Sequence, residues 1–217
     1  MVKTAWLIRH GESTSNAGFS TANPGEATLT DKGRQQAELV SQAITDRPDL
    51  VATSPYIRTI QSAHPTITRF EPVALAQWQI QEFTYLEPTN WVGSTMKDRL
   101  PAVIKYWEMA DPQYHDGPGA ESFVDFMARV DQLHERLEDL RLDFVVIFSH
   151  GLFSRGFLWR RLNRLKKIDT EFMHQFNFFY RSLNFHNCAI LKLSSHDGVA
   201  WNSPIELSHI PKELQTI

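Results

Sequence analysis

Two apolar runs in this 217-residue chain each lead into a histidine followed by glycine. The first is Ala5-Trp6-Leu7-Ile8, entering Arg9-His10-Gly11-Glu12. The second is Phe144-Val145-Val146-Ile147-Phe148, entering Ser149-His150-Gly151. Short continuous apolar runs of this kind suit strands buried on both faces, which are typical of a parallel sheet covered by helices. Such strands deliver their last residues to the rim of the sheet, where glycine lets the backbone turn sharply and approach a ligand. Arginine beside histidine at that rim makes an anion site with a candidate nucleophile inside it.

The rest of the pattern supports this architecture. Residues 11–28 read as a loop, and Thr30 caps a helix to about Thr45 with Ala37, Val40 and Ile44 on one face. Residues 49–53 read as a short strand, and Ser54-Pro55 as the cap and first position of a helix that Pro65 should kink or end. A third strand is expected over 73–78. Residues 80–118 carry Pro88, Pro101, Pro112 and Pro118 around a helical stretch near 97–110, and read as an insertion over the sheet within one domain spanning 1–217. Ser122 and Asp125 have capping-box spacing before a long helix with Phe123, Phe126, Val130, Leu133, Leu137 and Leu140 as its stripe. A strand over 143–148, a helix over 152–162 and a last strand over 188–193 complete the reading; Phe172 to Tyr180 is aromatic and unassigned. The fold class is α/β, a mostly parallel central sheet with helices on both faces. Ligands of such sheets bind at the carboxyl ends of the strands. His10, Ser54 and His150 all fall there.

Composition excludes several partners. The formal charge of −3 gives no basic field for nucleic acid, and the basic stretch from Arg160 to Lys167 reads as a solvated helix end. No apolar stretch approaches the roughly 18 residues of a membrane span. Cys188 is the only cysteine, so no intrachain disulfide forms. With a strand where a signal peptide would lie, a cytoplasmic location is expected. The histidines lack metal-ligand spacing, and His134-Glu135 begins like a zincin helix but meets Glu138 where histidine is needed. No metal and no cofactor are expected. Nothing in the sequence sets an oligomeric state.

Arg9, His10, Arg58 and His150 would form a cationic cluster, with Arg58 near a helix N-terminus that also favours anions. The arginine fork matches phosphoryl oxygens, and neighbouring cations keep a histidine neutral and nucleophilic. These parts suit phosphoryl transfer to an imidazole.

Five blocks in order resemble the histidine phosphatase superfamily, the phosphoglycerate-mutase-like group. They are Arg9-His10-Gly11-Glu12-Ser13 with Asn16, Leu29 to Ala37, Ser54 to Ala63, Glu121-Ser122, and Ser149-His150-Gly151. The resemblance implies that His10 is phosphorylated, that Arg9, Asn16, Arg58 and His150 hold the phosphoryl group, His150 being catalytic as well, and that Glu82 is the proton donor, with Glu87 nearby in the same loop. Around Glu82 the chain reads Ile80-Gln81-Glu82-Phe83-Thr84-Tyr85-Leu86, unlike the mutases, and Arg99 stands alone where mutases carry paired arginines. Hydrolysis of a small phosphate monoester is therefore expected over mutase phosphotransfer or a non-catalytic phosphate or phosphopeptide reader. Phe19, Phe83, Tyr85, Trp91, Tyr106, Trp107 and Phe153 are candidate pocket aromatics, favouring a substrate with an apolar or aromatic portion.

Overall fold

The first apolar run forms β1 (Thr4–Arg9) and the second forms β4 (Phe144–Ser149). In this computed structural model, which describes residues 3–20, 23–196 and 199–217, they lie side by side and parallel, with Arg9 paired to Ser149. With β2 (Leu50–Thr53), β3 (Ala74–Gln77), β5 (Ile190–His196) and β6 (Val199–Glu206) they make one sheet of order β3-β2-β4-β1-β5-β6. The first four strands are mutually parallel; β5 and β6 are antiparallel additions at one side.

The runs are apolar throughout because both faces of the sheet are covered. Alternation sends Leu7, Val145 and Ile147 into one core, with residues of α4 (Phe123–Asp139), α5 (Gly151–Leu162) and α6 (Thr170–Ser182). Ile8, Val146 and Phe148 enter the other, with residues of α1 (Asp31–Ala43) and α2 (Ile57–Arg69). Thr30 caps α1 by accepting from Gly33 N, and Ser122 with Asp125 closes the capping box of α4. α3 (Met96–Met109) occupies the helical stretch of the insertion. No helix among the described residues is long and apolar enough to cross a membrane.

Four expectations change. Ser54 does not cap α2, which starts two residues later with Tyr56 as its N-cap. The Ser54 hydroxyl is taken up by His150 Nε2 (2.7 Å) and Thr59 Oγ1 (2.8 Å) instead. Pro65 does not end α2, because the buried stripe Ser62, Ala63 and Thr66 continues past it and packing outweighs one lost hydrogen bond. Residues 172–180 are helical: Asp169 accepts from Phe172 N (3.0 Å), and Phe172, Met173 and Phe176 bury at helical spacing. The strand starting near Cys188 is not the last; β6 follows as an edge strand, where Pro204 needs no ladder hydrogen bond.

Candidate active site

The rim where β1 and β4 end holds the two histidines. His10 and His150 have ring centroids 5.1 Å apart, and both are buried. Arg58, the second residue of α2, joins them: Nε donates to His10 Nε2 (3.0 Å), and Nη2 bridges to His150 Nδ1 (3.0 Å). An arginine only donates, so both contacted nitrogens carry lone pairs. The protons are then on the opposite nitrogens. His10 Nδ1–H donates to Gly11 O (2.7 Å), and His150 Nε2–H donates to Ser54 Oγ. Both imidazoles have pKa values pushed well below the ordinary histidine range, first by burial and then by Arg58, with Arg9 adding to each. They are neutral at pH 7.

Arg9 is buried as well. Nη1 donates to Phe185 O, while Nε is buried with no partner. Burial lowers its pKa to about 10, so it stays charged at pH 7. The residue lines the cavity, where its charge suits an oxyanion.

A cavity of about 270 Å³ opens over this floor. Arg9, His10, Asn16, Arg58 and Glu82 line it, so the structure brings five of the six sequence-predicted residues to one space. The sixth, His150, is fully buried behind His10 and Arg58 and is not part of the cavity wall. Asn16 Oδ1 accepts from Ser13 N (3.2 Å) and Ser13 Oγ (3.0 Å), which commits its carbonyl and leaves its amide N–H groups as the polar end for an anion.

Glu82 is held by the N-terminus of α5. Its Oε1 accepts from Phe83 N (3.2 Å), Leu152 N (3.0 Å) and Phe153 N (3.1 Å), and Oε2 shares only the Leu152 N–H (3.1 Å). His150 makes no side-chain cap of its own, so a residue far away in sequence satisfies two orphan donors of the helix. Arg129 braces the same loop: it pairs with Glu121 and donates to Gln79 O (3.0 Å) and Gln81 O (3.1 Å). Glu87 is elsewhere. Its carboxylate accepts from Gly119 N (2.6 Å), Thr89 N (3.2 Å) and Thr89 Oγ1 (2.9 Å), bonds that lower its pKa, and it does not line the cavity.

The glycines of the first two motifs serve the backbone. A Cβ on Gly11 would meet Gly33 O at 2.5 Å, and one on Gly33 would meet Glu12 O at 2.0 Å. Loop and helix α1 pack main chain to main chain there. Glu12 faces α1, accepting from Thr30 Oγ1 (2.8 Å), rather than the cavity.

The candidate aromatics divide. Phe83, Tyr85 and Trp91 line the cavity, while Phe153, Tyr106 and Trp107 are core and the exposed Phe19 is not in the wall. Each of the three buried rings has several aromatic or helical neighbours, which better satisfy large apolar area than a polar cavity mouth. Sequence reading missed Tyr56, whose ring lies against both His150 (centroids 5.2 Å) and Arg58 (4.9 Å) and lines the cavity. It also missed Ser62, which accepts from Gly11 N (2.9 Å), and Asn187, which donates to His10 O (3.0 Å). No group of three or more His, Cys, Asp or Glu among the described residues could hold a metal ion. His134 is a core residue stacked on Phe157.

Comparison with known proteins places the chain in a family and matches its fold. A curated acid phosphatase of Mycobacterium tuberculosis is 32% identical over 162 residues, 71% of this chain and 73% of that protein. A phosphoserine phosphatase mutant from Entamoeba histolytica, solved with phosphoserine, superposes with TM-score 0.72 at 21% identity, covering 96% of this chain and 99% of that one. A putative α-ribazole-5′-P phosphatase from Escherichia coli superposes with TM-score 0.71 at 19% identity over 95% of this chain and 97% of that one. The sequence model of the histidine phosphatase superfamily (branch 1) matches residues 5–200, and the chain belongs to that superfamily.

Proposed function

We propose that the protein is a phosphatase that hydrolyses small phosphate monoesters through a phosphohistidine on His10, with no metal. The observation that carries this reading is the tautomer of His10. Its proton is held on Nδ1 by Gly11 O, and its Nε2 lone pair accepts from Arg58 Nε at the cavity floor, so an anion that draws Arg58 away frees that lone pair for attack. The family, and a relative described as an acid phosphatase, support phosphate-ester chemistry.

In the proposed reaction an arriving phosphoryl group is held in the cavity by the charge of Arg9 and draws Arg58 from His10 onto its oxygens. His10 Nε2 attacks phosphorus, the bond to the leaving oxygen breaks, and Glu82 gives that oxygen a proton. The Gly11 carbonyl then faces a positively charged ring, which it stabilises. In the second half Glu82 takes a proton from water, the water oxygen bonds to phosphorus, the P–N bond breaks, and His10 recovers its lone pair. His150, fully buried, acts on the phosphoryl group through Arg58, which it braces from Nδ1. The cations supply the charge neutralisation that a metal would otherwise provide.

We read residues 80–118 as a lid that sets substrate choice. The floor recognises a phosphoryl group, which every monoester has. The remaining wall includes Phe83, Tyr85, Leu86, Trp91, Met96 and Val103, which suits a substrate with an apolar or aromatic portion.

Brief labelling with a phosphorylated substrate, quenched in acid and in base, tests the mechanism. Label stable in base, lost in acid and absent from His10→Ala is the expected result. Acid-stable label, or undiminished label in His10→Ala, contradicts it. Wild-type protein that binds phosphate esters without labelling would be a reader, and isomerised product in place of free phosphate would make it a mutase.

A further inference from the structure

A closed network of hydrogen bonds runs from residues 214–216 to the backbone on either side of Gly11. Asn187 is its centre and is fully buried. Its Nδ2 donates to His10 O (3.0 Å) and Asn16 Oδ1 (3.3 Å). Its Oδ1 accepts from Thr216 Oγ1 (3.1 Å), and its backbone N donates to Thr216 O (2.9 Å). Thr216 Oγ1 accepts in turn from Gln36 Nε2 (3.0 Å), which also donates to Leu214 O (2.5 Å), and Gln36 Oε1 accepts from Glu12 N (2.7 Å).

The ends of this network fix its polarity. His10 O only accepts and Glu12 N–H only donates, so each amide has one orientation and the threonine hydroxyl must donate toward Asn187. A buried network with a single satisfied arrangement holds its partners rigidly. Cys188 reinforces it from the next position. It adopts the left-handed region at φ 60°, and its N–H reaches Arg9 O (3.1 Å) and His10 O (3.3 Å). A non-glycine residue held there is an outlier that its surroundings must enforce.

We infer that Asn187 is a positioning residue for the reaction proposed above, fixing the main chain of His10 and the amide orientation of Asn16, with residues 214–216 as its brace. The consequence for Asn16 is specific. Its Oδ1 is the acceptor for Asn187, so its N–H groups are the end available to an anion in the cavity. Without Asn187 the Asn16 amide loses one of the donors that orient it, and a flipped amide would present oxygen to a phosphate.

Steady-state and single-turnover kinetics with nitrophenyl phosphate test this, with active sites counted by vanadate titration. Asn187→Ala should lower kcat per active site about tenfold and change KM little, as expected for a displaced nucleophile. Thr216→Val removes one O–H near the surface and should cost about threefold. In an Asn16→Ala background the Asn187→Ala loss should shrink to about threefold, because part of its route is gone. A merely structural role would lower the count of active sites, leave kcat per site intact and add independently to Asn16→Ala. That pattern overturns the inference. If Asn187→Ala does not fold, Thr216→Val at full kcat overturns it alone. Phosphoenzyme labelling of the wild type separates the two readings: labelled wild type with unaffected variants defeats only this inference, whereas unlabelled wild type defeats both.

Discussion

At the cavity floor Arg9, His10 and Arg58, with His150 behind them, are at most 7% exposed, whereas across from them Met96 is 60% exposed and Trp91 and Arg99 only half-buried. The floor side chains are bonded to residues remote in sequence, among them Arg9 to Phe185, Arg58 to His10 and His150, and His150 to Ser54. Bonds around the opposite wall are mostly local: Arg99 to Ser94, Thr95 to Asp98, Thr89 to Glu87. Remote cross-bonding fixes a geometry to fractions of an ångström, and local bonding shapes one segment that can change without disturbing the rest. A floor of the first kind suits the invariant part of a substrate class. A cover of the second kind suits the variable part.

If this division holds, a floor mutation harms all substrates alike. Arg58→Lys is the sharpest case. Lysine keeps the charge but cannot contact His10 Nε2, His150 Nδ1 and a phosphoryl oxygen from one planar fork. We expect kcat/KM to fall about 10²- to 10³-fold with the substrate ranking unchanged across a panel of phosphorylated metabolites and aryl phosphates. Losses that differ more than about tenfold between substrates would show that floor and cover are not separable.

Glu82 lies on the border between the two and should be sensitive to the leaving group. Glu82→Gln keeps an oxygen for the Phe83, Leu152 and Phe153 N–H groups, so the cap of α5 survives while the transferable proton is lost. Alkyl phosphates should slow about 10²-fold in single-turnover phosphorylation and nitrophenyl phosphate much less. Glu87→Gln, in a residue bonded to Gly119 and Thr89 outside the cavity, should leave that series unchanged. An equal loss along the series in Glu82→Gln would remove it as the proton donor.

The same contrast explains what the sequence made legible. The floor residues sit at ends of elements with strong local signals: unbroken apolar runs before His10 and His150, and a helix start before Arg58. Topology then forces them together, since strands of a parallel sheet end on one edge. Residues whose place depends on remote partners carried no such mark. Ser54 resembled a cap because capping is its common local use, and only the neighbouring strand shows that His150 claims its hydroxyl. Tyr106 and Trp107 resembled lid aromatics because the segment is proline-rich and irregular, yet they turn into the core, Trp107 beside Phe123 and Phe176 and Tyr106 beside Phe83 and Tyr85. Asn187 sits where β1 and the approach to β5 meet, and no spacing in the chain relates it to His10 or Thr216. β6 escaped because Pro204, Asn202 and Ser203 break the alternation that marks a strand, which an edge position tolerates.

The smallest effects should come from the cover, and they test whether it is one unit. Phe83 and Trp91 both line the cavity, but Phe83 is 4% exposed and stacks on Phe126 with centroids 4.4 Å apart, whereas Trp91 is half-buried. Phe83 therefore belongs energetically to the core. Phe83→Leu should lower stability by about 1–1.5 kcal/mol, from a lost ring stack and imperfect repacking, and leave substrate ranking intact. Trp91→Ala should do the reverse. Its effect on denaturation midpoint should be slight, while kcat/KM for a preferred aromatic or apolar ester falls by about 1 kcal/mol relative to a minimal alkyl phosphate. Measuring both variants against both readouts gives four numbers with one expected pattern. A Trp91→Ala enzyme with unaltered ranking would move specificity to Tyr85, Met96 or Arg99. A Phe83→Leu enzyme with altered ranking would show that the core wall itself reads the substrate, and the boundary between floor and cover would have to be drawn above Phe83.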